Sequence, residues 1–164
     1  MSGPGFDPAG ILRALEAHRV RYVLIGGLAV IAHGHLRATA DIDILPNPEP
    51  ANLAALAGAL QALDARISGV DADLLGIELD APTLAQGANF TLETALGALD
   101  VMQAVPGARP YEQLDADAVS TELDGVPVRV VSLADLLALK RAADRPRDRE
   151  DVAVLTEIAS LDDQ

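Results

Sequence analysis

The sequence predicts an α/β (α+β) fold, a mixed β-sheet flanked by helices in a single domain. Three observations predict it. Short, apolar, β-rich runs such as Tyr22-Val23-Leu24-Ile25 alternate with longer stretches of helical period such as residues 51–63. Ala, Leu and Val dominate, and Phe6, Tyr22, Phe90 and Tyr111 are the only aromatic residues, a mixture suited to helices packed on a sheet. The 164 residues suffice for one buried core, and no repeat, low-complexity linker or break in composition marks a second unit. We expect one domain over 1–164, with its core at about 7–158.

Each element has a local reason. Asp7-Pro8 opens a helix, with Asp7 as N-cap and Pro8 in the first position, and Ile11, Leu12, Leu15 and His18 recur at helical spacing. Residues 22–25 read as a buried strand that Gly26-Gly27 breaks. A short helix follows over 28–32, and Gly34 ends it. Residues 41–45 form the second strand, stopped by Pro46 and Pro48. Glu49-Pro50 starts a helix that places Leu53, Leu56, Leu60 and Leu63 on one face. From 66 to 86 the pattern is weak: 71–79 fits helix or irregular chain, and 82–86 fits one helical turn. Residues 89–94 and 98–101 read as a hairpin with Gly97 in its turn, and a helix fits 111–114 after a loop at 106–110. A second hairpin, 119–123 with 126–131, closes around Asp124-Gly125. Ser132 caps a helix running to about Ala143, with Asp135 completing a capping-box-like pair. Pro146 starts the last helix, which reaches about Ile158, and Asp162-Asp163-Gln164 reads as a frayed end.

Composition excludes several classes. A formal net charge of −13 keeps the chain soluble and repels nucleic acid on average. Yet five of the twelve basic residues fall between Lys140 and Arg149, which leaves a local basic surface open. No apolar run reaches the ~18 residues of a membrane span. Met1 to Gly5 offers neither the charged nor the apolar region of a signal peptide. With no cysteine, disulfides and thiolate metal sites are excluded, and a cytoplasmic location is expected.

The chemistry concentrates between Gly26 and Asp43. In a strand, residues i and i+2 share a face, so the carboxylates of Asp41 and Asp43 emerge together, roughly 6.5–7 Å apart along the chain, while Ile42 and Ile44 point into the core. Two like charges side by side are unfavourable, and a divalent cation with hard oxygen ligands would neutralise them. The competing reading is a half-exposed strand with ordinary alternation. Gly26-Gly27, between strand and helix, lets the backbone approach a phosphate at the helix start; the alternative is a tight turn needing positive φ. Arg37 and Thr39 are candidates for phosphate contact, with Arg37 otherwise a solvated residue or a salt-bridge partner of one of the two aspartates. Asp100 is a single acid inside the apolar run Ala98-Leu99-Asp100-Val101-Met102. Such an acid is costly unless paired, metal-bound or turned to solvent on an edge strand. If its strand lies beside that of Asp41, three carboxylates converge.

Together, Gly26-Gly27, His33-Gly34, Arg37, Thr39, Asp41-x-Asp43 and Asp100 resemble the polymerase-β-type nucleotidyltransferases, and more closely their minimal bacterial branch, which includes AbiEii-like toxins and MNT-type partners of HEPN proteins. Residues 131–140 and 145–151 are similar to the same branch. The resemblance covers about residues 20–45, 89–102 and 130–155. It implies a nucleotidyltransferase-like mixed sheet, with Asp41, Asp43 and Asp100 as Mg²⁺ (or Mn²⁺) ligands and Asp100 as base toward the acceptor. The activity implied is transfer of a nucleoside monophosphate from a triphosphate such as ATP to a hydroxyl of RNA, protein or a small molecule. Many relatives carry Gly-Ser where this chain has Gly26-Gly27, so one hydroxyl contact to phosphate is missing. Lys140 stands where relatives present a helix lysine, a candidate nucleotide contact or a solvated residue. Arg145, Arg147, Asp148 and Asp151 read as a surface ion-pair cluster, and His33 as structural.

Three functions compete. An active transferase, with or without a role in a toxin–antitoxin system, uses all three acids. Its small size invites a homodimer or a cognate partner protein to complete the site. An inactive antitoxin or binding subunit would be expected to lose one of the acids. A phosphatase on an unrelated α/β scaffold fits less well with a glycine pair so close before the aspartates.

Overall fold

The computed structural model describes residues 5–163. One seven-stranded mixed sheet runs in the order β3-β4-β5-β2-β1-β7-β6. Its strands are β1 (Tyr22–Ile25), β2 (Asp41–Pro46), β3 (Arg66–Ile67), β4 (Phe90–Thr94), β5 (Gly97–Val101), β6 (Val119–Leu123) and β7 (Val126–Val130). The helices are α1 (Pro8–Ala17), α2 (Gly26–Ala32), α3 (Pro50–Ala62), α4 (Ala72–Leu75), α5 (Ala81–Leu84), α6 (Tyr111–Asp117), α7 (Leu133–Ala143) and α8 (Pro146–Asp162). The pairs β1/β2, β3/β4, β4/β5 and β6/β7 are antiparallel; β1/β7 and β2/β5 are parallel. This is the mixed sheet flanked by helices that the sequence predicts.

The central strands are apolar because they are covered. All four residues of β1 are buried, and Ile42, Ile44, Leu99 and Val101 are fully so. The leucine stripe of α3 and Ile11, Leu12 and Leu15 of α1 join them in one core. α1 packs on α3, and α7 packs on both α2 and α8. The caps form as expected: the Asp7 carboxylate accepts from Gly10 N–H at 3.0 Å, and Ser132 Oγ from Asp135 N–H at 3.1 Å. At the β6–β7 turn both Asp124 and Gly125 take positive φ, the geometry a tight two-residue hairpin needs.

Several boundaries differ from expectation. α2 begins at Gly26 itself, because Gly26 adopts φ +70° and turns the chain directly from strand into helix. Pro46 lies inside β2, opposite Tyr22 at the strand's last position, where no further ladder bond is required of it. Gly97 belongs to β5, and Ala95-Leu96 makes the turn. β3, two residues long, was not foreseen. α8 continues to Asp162, and Gln164 and the first four residues, on which the signal-peptide reading chiefly rests, lie outside the described residues. Among the described residues, no helix is long and apolar enough to cross a membrane.

Leu99 sits at 0% exposure between β2 and β4. Leu99→Ala is expected to lower unfolding free energy by about 2–5 kcal/mol in urea titration, whereas Leu36→Ala, at an exposed position, should change it by less than about 0.5 kcal/mol.

Candidate active site

β2 and β5 run parallel, with Asp43 opposite Asp100 and Asp41 opposite Ala98. Residues opposite one another share a face, as do i and i+2, so three carboxylates emerge on one side of the sheet. Carboxylate oxygens of Asp41, Asp43 and Asp100 all lie within 4.8 Å of one another. β5 is an interior strand, so Asp100 is not an edge residue turned to solvent.

This crowding has an electrostatic consequence. Burial, the Asp41 charge and the hydrogen-bonded, charged Asp100 push the Asp43 carboxyl up to about 8, with Lys140 pulling the other way. Asp100 is raised as well, chiefly by burial. In the metal-free protein the Asp43–Asp100 pair therefore holds a proton at neutral pH.

The glycines are bare for a visible reason. A Cβ on Gly26 would collide with the Asp43 carboxylate. One on Gly27 would come within 2.6 Å of Thr39 Oγ1 and 3.4 Å of Arg37 Nη1. The Thr39 hydroxyl also reaches Asp41, 3.3 Å from its carbonyl oxygen and 3.4 Å from Oδ1.

All eight residues singled out from the sequence (Gly26, Gly27, Arg37, Thr39, Asp41, Asp43, Asp100 and Lys140) line one cleft of about 710 Å³. Its apolar lining includes Met102, Val105, Leu136 and Leu139. A second hollow of about 490 Å³, formed by residues between Asp64 and Leu79, contains none of these groups.

Two expectations are corrected. Asp148 and Asp151 are not a surface cluster: they are 1% and 0% exposed. Together with Leu155 they are the buried residues of α8. Lys140 is likewise buried, its Nζ 3.2 Å from Asp148 Oδ1 and 3.1 Å from Asp151 Oδ2. Arg37 pairs with neither aspartate of β2 but forks onto Asp151, donating from Nε at 2.9 Å and Nη2 at 3.0 Å. Burial alone would raise Asp148, but the Arg145 side chain and backbone N–H, together with Lys140, bring it down to about 2. The spacing Asp148, Asp151, Leu155 is itself a helical core stripe, a signal that the polar residue types concealed. His33 donates from Nε2 to the Val131 carbonyl oxygen at 2.8 Å, fixing the end of α2 to the end of β7.

The same fold occurs in solved nucleotidyltransferases. The lincomycin-bound lincosamide antibiotic adenylyltransferase LnuA matches with a TM-score of 0.60 over 94% of this chain and 99% of its own, at 17% identity. ANT(2'')-Ia in complex with adenylyl-2''-tobramycin matches with a TM-score of 0.57 over 92% and 90%, at 19% identity. A Thermotoga maritima protein provisionally assigned as a nucleotidyltransferase matches with a TM-score of 0.54 over 95% and 91%, at 16% identity. No protein-family model and no curated protein matches the sequence. The likeness is one of fold.

The raised Asp43 makes stability depend on pH. Its carboxyl titrates near 3.8 when unfolded and near 8 when folded, so folding takes up a proton between those values. The contribution to stability is therefore full below about pH 4 and is lost as pH rises toward 8. In chelator, the melting temperature should fall by several degrees between pH 5 and 8, and Asp43→Asn should flatten that slope in calorimetric scans.

Proposed function

We propose that this protein is a nucleotidyltransferase that moves a nucleoside monophosphate from a nucleoside triphosphate to a hydroxyl acceptor and releases pyrophosphate. The carrying observation is the convergence of Asp41, Asp43 and Asp100 in one cleft with Gly26, Gly27, Arg37 and Lys140. The whole of 1–164 is taken as one such domain.

The donor set fits a hard divalent cation: three carboxylates in close contact, two of which share a proton that a cation would replace. Asp41, Asp43 and Asp100 would hold Mg²⁺ or Mn²⁺, which when bound neutralises phosphate charge and polarises the phosphorus centre. The bare backbone at Gly26 and Gly27 leaves room for phosphate oxygens, and the Thr39 hydroxyl stands beside them. Arg37 and Lys140 present cationic groups to the same space. Asp100, once ionised, would accept the acceptor hydroxyl's proton as its oxygen bonds to the α-phosphorus and the bond to pyrophosphate breaks.

For the acceptor we favour a small molecule. A net charge of −13 disfavours a long RNA. Two structures of similar fold carry lincomycin and adenylyl-2''-tobramycin, respectively. A protein or RNA hydroxyl, and a toxin–antitoxin setting, are the alternatives that acceptor screening separates. ATP as donor, a cytoplasmic location and completion of the acceptor side by a second copy or a cognate partner belong to the same proposal. An inactive binding subunit would have no need of three acids held together at electrostatic cost.

Incubation with each labelled triphosphate, Mg²⁺ and panels of amino-sugar and lincosamide antibiotics, RNA and lysate protein should label one acceptor class. Asp41→Ala and Asp43→Ala should each lower labelling by about 10³-fold while circular dichroism stays unchanged. Absence of triphosphate binding by the wild type in calorimetry would refute the proposal.

A further inference from the structure

The two cations that the proposed chemistry uses, Arg37 and Lys140, are held from behind the cleft by an acid that it does not use. The Asp151 carboxylate, buried and absent from the cleft lining, receives Arg37 through two hydrogen bonds at 2.9 and 3.0 Å and Lys140 at 3.1 Å. His35 Nε2 lies 3.6 Å away. Arg37 and Lys140 come from separate parts of the chain, the α2–β2 connection and α7, and both line the cleft. Asp148, one helical turn earlier on α8, takes Lys140 at 3.2 Å and Arg145 at 2.7 Å.

Charge counting shows what this cluster is suited to. Arg37, Lys140 and Arg145 carry three permanent positive charges against two carboxylates, Asp148 and Asp151, so one positive charge is left over. Asp151 stands outside the cleft, whereas Arg37, Lys140 and Arg145 line it together with the buried Asp148. Arg37 Nη1, the nitrogen not used on Asp151, donates to Ala38 O at 3.0 Å and lies 3.4 Å from the place a Gly27 side chain would occupy. A bidentate fork fixes the guanidinium plane as well as its position, which a single contact would not.

We infer that Asp151 is a positioning residue: from outside the cleft it orients Arg37 and Lys140 toward the triphosphate of the donor nucleotide. The inference rests on the nucleotidyltransferase reading above. Asp151 touches no reacting atom, so its loss acts through the two cations. It therefore weakens donor binding more than turnover.

The test measures donor binding with a non-hydrolysable triphosphate analogue by calorimetry, with kcat and KM for the labelled acceptor found above. Asp151→Asn keeps the shape and removes the charge. It should weaken analogue binding and raise donor KM by about tenfold or more, with kcat changed by less than about threefold. Asp151→Glu, which restores the charge, should recover part of the loss. In a double-mutant cycle, adding Arg37→Gln to Asp151→Asn should cost less than the sum of the single changes, because Asp151 acts through Arg37. The double variant also removes both charges of that pair, so it serves if the single variant does not fold. Full additivity in the cycle, or analogue binding by folded Asp151→Asn equal to wild type, overturns the inference and leaves the proposed function standing. If wild type binds no triphosphate at all, the proposed function falls and this inference with it.

Discussion

The candidate site depends on one constraint, three carboxylates held together against their mutual repulsion. Asp43 and Asp100 face each other across a parallel strand pair, with Asp41 two residues along. On that side of the sheet the Asp43–Asp100 hydrogen bond, the Lys140 charge and the Thr39 hydroxyl offset the repulsion of this arrangement only in part. What enforces it is the other side: Ile42, Ile44, Leu99 and Val101 are all fully buried, and a slip of one residue in either strand would exchange acids for isoleucine or leucine in the core. Hydrophobic burial on one face thus fixes an electrostatically unfavourable geometry on the other. The proton held by the Asp43–Asp100 pair is the residue of that conflict.

The same logic, with signs reversed, governs the far wall of the cleft. Two buried acids on α8 would be prohibitive alone, and they are tolerated because Arg37, Lys140 and Arg145 reach them. The cleft is consequently dipolar: carboxylates gather on the sheet and cations gather at α7, α8 and the α2–β2 connection. A chain of net charge −13 would otherwise repel a polyphosphate. On the proposed reading, the local arrangement would offer such a ligand a cationic side and a divalent cation an anionic one.

Much of this was legible in the residues. The period-two alternation of Asp41-Ile42-Asp43-Ile44 fixed which side chains share a face, and Asp7, Ser132 and Asp124-Gly125 marked caps and a turn whose geometry is local. The pairing of β2 with β5 was legible only as a condition, since strand partners 57 positions apart (Asp43 and Asp100) leave no mark on each other's local sequence. β3 escaped because two residues carry no periodicity. The burial of Asp148 and Asp151 is hidden by their residue type, because acids at core positions mean nothing until their cationic partners, Arg37 above all, are known to arrive from elsewhere.

Gly27 shows how far the local motif alone can mislead. A serine at this place, as in the nucleotidyltransferases that the sequence resembles, would present a hydroxyl from the start of the helix, and read from the sequence alone its absence suggests a lost phosphate contact. The space is not vacant, however: Thr39 Oγ1 stands 2.6 Å from where a Cβ on residue 27 would be. A serine at 27 and Thr39 in its present place exclude each other, so a glycine at 27 is the condition for the threonine to stand there. The hydroxyl therefore arrives from the α2–β2 connection, the same segment that carries Arg37. That segment is tied to Asp41 through Thr39 and to Asp151 through Arg37. The groups facing the glycine pair thus depend on α8, the last helix of the chain, as much as on the strand–helix turn beside them.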